Sequence, residues 1–297
     1  MTSPAVSTTW LACLVLAGAV AMRSVMGVFA RELGQHVDLM MQIFLRALLG
    51  TLILFVLCHR VIDVGKLWRI NRAEAANLAA RAVAMFVVGV ALGSYAFIHG
   101  NYVTTTLILA LPTTALVSRV VHREAMSWKA LVCVLLSFVG AAIIILKDGQ
   151  TLRFDWPLVC ALLAALSMSW GILAARRQSA LLSNIEATLF MMVVSTLVCL
   201  LLVLPSVMVA GRIPRIPMEA WVLAALAGAA GVAFIFMSNH AAPRLHGATT
   251  NNILALQPFF GALIGYVAYG DVLSLQELLG GALIIASAFW LANGRQR

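Results

Sequence analysis

The chain is poor in charge. Only 10% of its 297 residues are Asp, Glu, Lys or Arg, whereas 63% are hydrophobic and the mean hydropathy is +1.00. Soluble domains carry roughly 25% charged residues. A water-exposed globule is therefore excluded, because there is too little polar surface to cover the apolar mass. Acids are scarcest, 11 against 20 basic residues, and all of them read as lying in connections or near the ends of apolar runs. An embedded carboxylate is the usual proton or sodium relay of a coupled carrier, so its absence points to facilitated diffusion or exchange. The five cysteines (Cys13, Cys58, Cys133, Cys160, Cys199) show no paired spacing and sit in or beside apolar runs. They read as packing residues rather than as disulfides or metal ligands. Nothing resembles a metal cluster, a nucleophile with its base or a phosphate loop, so no enzyme activity, cofactor or metal is expected. The lack of an Asn-x-Ser/Thr sequon agrees with a bacterial origin. The first apolar run holds Arg23 and is too long for a leader core, so no cleavable leader is expected. The net charge of +9 would suggest nucleic acid in a soluble chain. Here the basic residues mostly flank apolar runs, and no nucleic-acid partner is expected.

What is present is a series of apolar runs long enough for membrane helices, which need about 20 residues each. They span roughly 9–30, 38–58, 77–98, 102–121, 127–147, 156–177, 184–205, 219–240, 247–269 and 272–293. Their unbroken character excludes a transmembrane barrel, whose strands alternate. The connections at 59–76 and 206–218 are the longest, and Pro205, Pro214 and Pro217 mark the second as a loop. With a cytoplasmic N-terminus, twelve basic residues fall in inner connections and five in outer ones, which favours both termini inside. The expected fold is an all-α integral membrane protein of ten transmembrane helices.

One passage occurs twice. Ile108–Pro112 reads ILALP and Ile253–Pro258 reads ILALQP; Glu124 follows the first proline by twelve residues and Asp271 follows the second by thirteen. Each copy belongs to a unit of five runs, 1–148 and 149–297. Five is odd, so the second unit is inverted relative to the first, with a central cavity between them near the midplane. Pro112 and Pro258 are the expected hinges or kinks.

These features carry a resemblance. The proline–acid pairs, Gly140 and Gly280-Gly281 in the runs that follow them, and the sixth run (Ala164 to Arg177, ending in a double arginine) are similar to the drug/metabolite transporter superfamily, EamA type. Met22-Arg23-Ser24 stands where that family often has an aromatic and then a small residue, and Asp271 takes the place of the commoner glutamate. The resemblance implies a ten-helix bundle around a cavity, exporting amino acids or similar metabolites. Relatives of this type include exporters of aromatic amino acids and importers of S-adenosylmethionine.

Within the runs, Arg23 and Arg46 are costly unless paired or facing water. The functional reading is a grip on a substrate carboxylate, with Ser24 beside it; the alternative is capping or snorkelling. Arg81 reads as an interface anchor. Tyr95, His99 and Tyr102 at one end, and His240, Asn251 and Asn252 at the other, form mirrored polar clusters that read as gates or as ordinary polar connections. Trp170 is a stacking candidate or core packing. Gln257 either caps carbonyls freed by Pro258 or binds substrate. Met237 suits an adaptable apolar wall. The resulting expectation is a multi-pass exporter of the bacterial inner membrane, with the bilayer and a small amphipathic substrate as its partners. Aromatic or large neutral amino acids lead. Other cargo (S-adenosylmethionine, drugs, lipid-like compounds) and a non-transporting scaffold or sensor are the alternatives. Nothing in the sequence demands a particular oligomeric state.

Overall fold

The computed structural model describes residues 4–100, 113–121, 126–145, 155–177, 181–210, 216–261 and 274–293, with single positions at 105, 108, 109, 111, 123, 179 and 263. Every regular element among them is helical. The helices are α1 (Pro4–Ser24), α2 (Met26–Gly34), α3 (Leu39–Cys58), α4 (Val64–Arg69), α5 (Arg72–Ala82), a π-helical segment (Val83–Gly89), α6 (Val90–His99), α7 (Thr113–Val121), α8 (Trp128–Ile145), α9 (Trp156–Ala174), α10 (Asn184–Ala210), α11 (Met218–Ala241), α12 (Gly247–Leu254) and α13 (Leu275–Asn293). Six stretches, Trp10–Gly34, Leu39–Cys58, Arg72–His99, Trp156–Ala174, Asn184–Val209 and Met218–Arg244, are long and apolar enough to cross a bilayer.

Starts are set by capping. The Asp38 carboxylate accepts from Met41 N (2.8 Å) and Asp155 from Leu158 N (3.1 Å), each satisfying a donor that the first helical turn leaves free. Ser183 and Glu186 form a reciprocal box at the start of α10: Ser183 N donates to Glu186 Oε2 (2.7 Å) and Glu186 N to Ser183 Oγ (3.3 Å). Glu186 is 1% exposed and also takes Asp63 N (3.1 Å) and Lys66 Nζ (3.5 Å), so it binds the 59–66 connection to α10.

One reading of the connections needs correction. The stretch after Pro205 is not a loop from the proline onward, because α10 runs through it to Ala210. A proline forfeits one bond, to the Leu201 carbonyl, whereas leaving the helix in apolar surroundings would strand more backbone groups. The 59–76 connection is largely helical, holding α4 and the start of α5, capped by Asp63 and Asn71.

Packing follows an exchange rule. If run n is swapped for run n+5, most of the larger contacts between runs are preserved among the described residues. The first run packs on the eighth (α1 on α11) and the third on the sixth (α5–π–α6 on α9). The second packs on the eighth (α3 on α11) and the third on the seventh (α5 and the π segment on α10). The second meets the seventh, the fourth the ninth (α7 on α12) and the fifth the tenth (α8 on α13). In the last pair Gly140 lies against the Gly280 carbonyl, where a Cβ would come within 2.7 Å, and Ser137 Oγ meets Ser287 Oγ at 2.6 Å.

Three of the runs are not straight α-helices. The first is interrupted at Val25, between α1 and α2. The third passes through the π segment. The ninth breaks at Ala255–Leu256 and resumes at 257–261. Irregular backbone at membrane depth is tolerated where it lines a cavity or is buried in protein, and these three runs surround the cavity described next.

Candidate functional site

A cavity holding about 690 Å³ of empty space, counting its open mouth, lies between α1–α2, α3, the π segment, α6 and α11. Its wall is mostly apolar: Met85, Phe86, Val90, Phe97, Met168 and Phe234 all face it. Its polar residues are Arg23, Arg46, Ser94 and Gln257.

Arg23 occupies the last turn of α1, directly before the interruption, where a cation meets the negative end of the helix dipole. It is 8% exposed, and its guanidinium carbon lies 5.8 Å from the Phe234 ring centroid. Among the described residues it has no carboxylate and no hydrogen-bond partner. Arg46, 2% exposed, donates Nη1 to Ser94 Oγ (3.3 Å) and Nη2 to Met26 Sδ (3.1 Å), while its Nε lacks a partner among the described residues. Two glycines set its position. A Cβ on Gly228 would stand 2.7 Å from the Arg46 carbonyl and from Gly50 N, so α11 rests directly on the backbone of α3 at the arginine. The two interrupted runs are joined at the same level: Ser24 Oγ donates to the Gln257 carbonyl at 3.1 Å and to Val20 O at 2.9 Å. Arg23 and Gln257 are thereby presented to one space by two helix breaks.

The remaining candidates lie elsewhere. Tyr95 is half-buried, stacks on exposed His99 with centroids 4.4 Å apart, and packs towards Cys160 and Ala161; neither ring lines this cavity, whereas Ser94 next to them does. Trp170 is half-buried and outside the lining. Its neighbour Ser169 links α9 to α7 through Thr113 (2.8 Å) and Thr114 (2.9 Å). Met237 packs against Gly18, where a Cβ would come within 3.0 Å of its methyl. Asn251 and Asn252 are buried in α12 without lining the cavity, and the Asn252 amide, Thr249 Oγ1 and Thr250 Oγ1 have no partners among the described residues. His240 lines a different cavity. Tyr102 and Pro112 lie outside the described residues, as do Glu124 and Asp271. Pro258 sits in the first turn of the resumed ninth run, two residues beyond the break, where its missing N–H costs nothing.

Arg81 is a correction. It is no interface anchor, because it is 3% exposed and ties three helices together: Nε donates to the Gly171 carbonyl (3.1 Å) and Nη2 to Asn239 Oδ1. Asn239 Nδ2 in turn donates to Thr188 Oγ1 at 3.2 Å. Distance from the end of a run says nothing about which side of the helix a residue takes. Ser94, Phe234 and Met168 were also unmarked in the sequence, since which side of its helix each takes is not written there.

The model of the EamA-like transporter family matches residues 10–146 and again 155–293. A solved crystal structure superposes with a TM-score of 0.73 over 96% of this chain and 99% of its own, at 15% identity. At that identity the likeness speaks for the fold. No curated protein matches the chain.

Proposed function

Because this chain belongs to the EamA-like transporter family, membrane carriers of the drug/metabolite type, we propose that it exports small amphipathic carboxylates across a bacterial inner membrane, large neutral and aromatic amino acids first among them. Ten spans in two inverted five-helix units would expose the cavity alternately to each side.

One observation carries the substrate reading: Arg23, 8% exposed, faces a mostly apolar cavity with no acid among its described lining residues. A guanidinium at membrane depth costs about 2.5–3.5 kcal/mol or more, and a substrate carboxylate would supply the missing counter-charge through charge-assisted hydrogen bonds. Arg46, held by Ser94, adds a second cation. Phe86, Phe97 and Phe234 would take the apolar body. For an amino-acid ammonium the cavity offers only neutral acceptors, such as the Gln257 amide. That feature favours carboxylates without an ammonium as a second substrate group. No described acid lines this cavity, which supports facilitated transport or exchange over proton coupling.

The test is initial uptake of radiolabelled phenylalanine and phenylpropionate by proteoliposomes containing wild type or Arg23→Gln. Uptake above empty vesicles that the substitution abolishes supports the reading. Uptake equal in both proteins overturns the role of Arg23.

A further inference from the structure

A second cavity, about 590 Å³ of empty space counting its mouth, lies where the second half of α5, the end of α9, the start of α10 and the end of α11 meet. Its lining is polar and basic: Arg81, Asn239, His240 and Arg244, with Ser183 and Asn184 opposite. Arg81, almost wholly buried, forms part of its wall, and its acceptors among the described residues are neutral: the Gly171 carbonyl and the Asn239 amide oxygen. Arg244 is exposed and donates to the His240 carbonyl. Two carboxylates are bonded to residues of this lining and so are already engaged: Glu74 accepts from Ser179 Oγ (2.8 Å), and Glu186 accepts from Ser183 N (2.7 Å) and pairs with Lys66 (3.5 Å).

The two cavities lie in series. Along the third run, Leu78 and Arg81 face the second cavity and Met85 to Phe97 the first. Along α11, Asn239 and His240 face the second and Ala227 to Ile235 the first. Gly171 stands between Met85, which lines the first cavity, and Arg81, which lines the second. Its bare Cα lets the Met85 side chain lie where a Cβ would overlap it, while its carbonyl holds Arg81. The π segment Val83–Gly89 begins two residues after Arg81. Such segments frequently mark functional sites.

We propose that this second cavity is an anion site at the cytoplasmic mouth, where the transported carboxylate pairs with Arg81 and Arg244 before reaching Arg23. This rests on the carboxylate reading above. Binding there replaces the amide oxygen of Asn239 by a charged acceptor, which is the stronger partner, and so releases the bond that pins α5 to α11.

The test is equilibrium binding of radiolabelled phenylpropionate to the full chain in nanodiscs, in neutral phosphatidylcholine and with added phosphatidylglycerol. Wild type binds two equivalents. Arg81→Gln loses one of them, and Arg23→Gln loses the other. Arg244→Gln, at an exposed position that folding does not need, weakens one of the two about tenfold, the order expected for one hydrogen bond between charged groups. A single equivalent that Arg81→Gln and Arg244→Gln leave unchanged and Arg23→Gln removes overturns the second site and keeps the central one. No binding by wild type overturns both. Loss of one equivalent when phosphatidylglycerol is present assigns the second cavity to a lipid phosphate and overturns its place on the transport path.

Discussion

At the scale of single residues, the sequence marks the site by its exceptions. Arg23 and Arg46 stand out because a charge inside an apolar run is visible without a structure. That both face one cavity, and that Arg81 faces another, depends on helix rotation, which uniform apolar surroundings do not record. The aromatic half of the site is invisible for the same reason: Phe234 is one phenylalanine of thirteen. Small residues decide how close the backbones come. Gly228 brings α11 onto α3 at Arg46, so Gly228→Val forces the two helices apart. It is expected to cost about 1–3 kcal/mol, the usual penalty of overpacking, seen as a lower Tm in detergent together with weaker carboxylate binding.

At the scale of elements, the six long apolar stretches were legible and the interruptions were not. Hydropathy reports length and burial, but the breaks at Val25 and at Ala255–Leu256 carry no proline, and the π segment has no composition of its own. Pro258, the residue that seemed to name the hinge, starts the helical turn after the break. Pro258→Ala is therefore expected to leave the break in place and uptake close to wild type. Ser24→Ala, which removes the tie to Gln257, is expected to slow uptake about two- to tenfold, the equivalent of roughly 0.5–1.5 kcal/mol for one hydrogen bond. Initial rates in proteoliposomes separate the two; a larger loss in Pro258→Ala would return the hinge to the proline. Glu186 read only as an acid near the end of a run; its place in a capping box with Ser183 and its burial came from the structure. Glu186→Gln loosens both α10 and the 59–66 connection and should lower Tm, by about 1–2 kcal/mol for the hydrogen bonds to a charged acceptor, without changing which substrates are bound.

At the scale of the whole molecule, the duplicated ILALP passage pointed to the architecture before any contact was known. Two family matches, at 10–146 and 155–293, and the larger contacts between runs, most of them kept under exchange of run n with run n+5, express the same duplication in sequence and in space. The cavity at the junction of the two units draws on both: Arg23, Arg46 and Ser94 from the first, Phe234 and Gln257 from the second. This division of labour is why neither half is expected to transport alone, a prediction checked by expressing residues 1–148 and 149–297 separately and then together, with uptake returning only on co-expression. On the proposed carboxylate reading, a carrier with few acids can still recognise a charge, the cations being Arg23 and Arg46 and the anion arriving with the substrate.

The measurement that tests this account most directly is uptake of radiolabelled phenylalanine and phenylpropionate into proteoliposomes by wild type and Arg23→Gln, with and without a pH gradient. The account predicts saturable uptake by wild type that is indifferent to the gradient and falls to the level of empty vesicles in the variant. Uptake that the gradient drives and the arginine does not affect would contradict it.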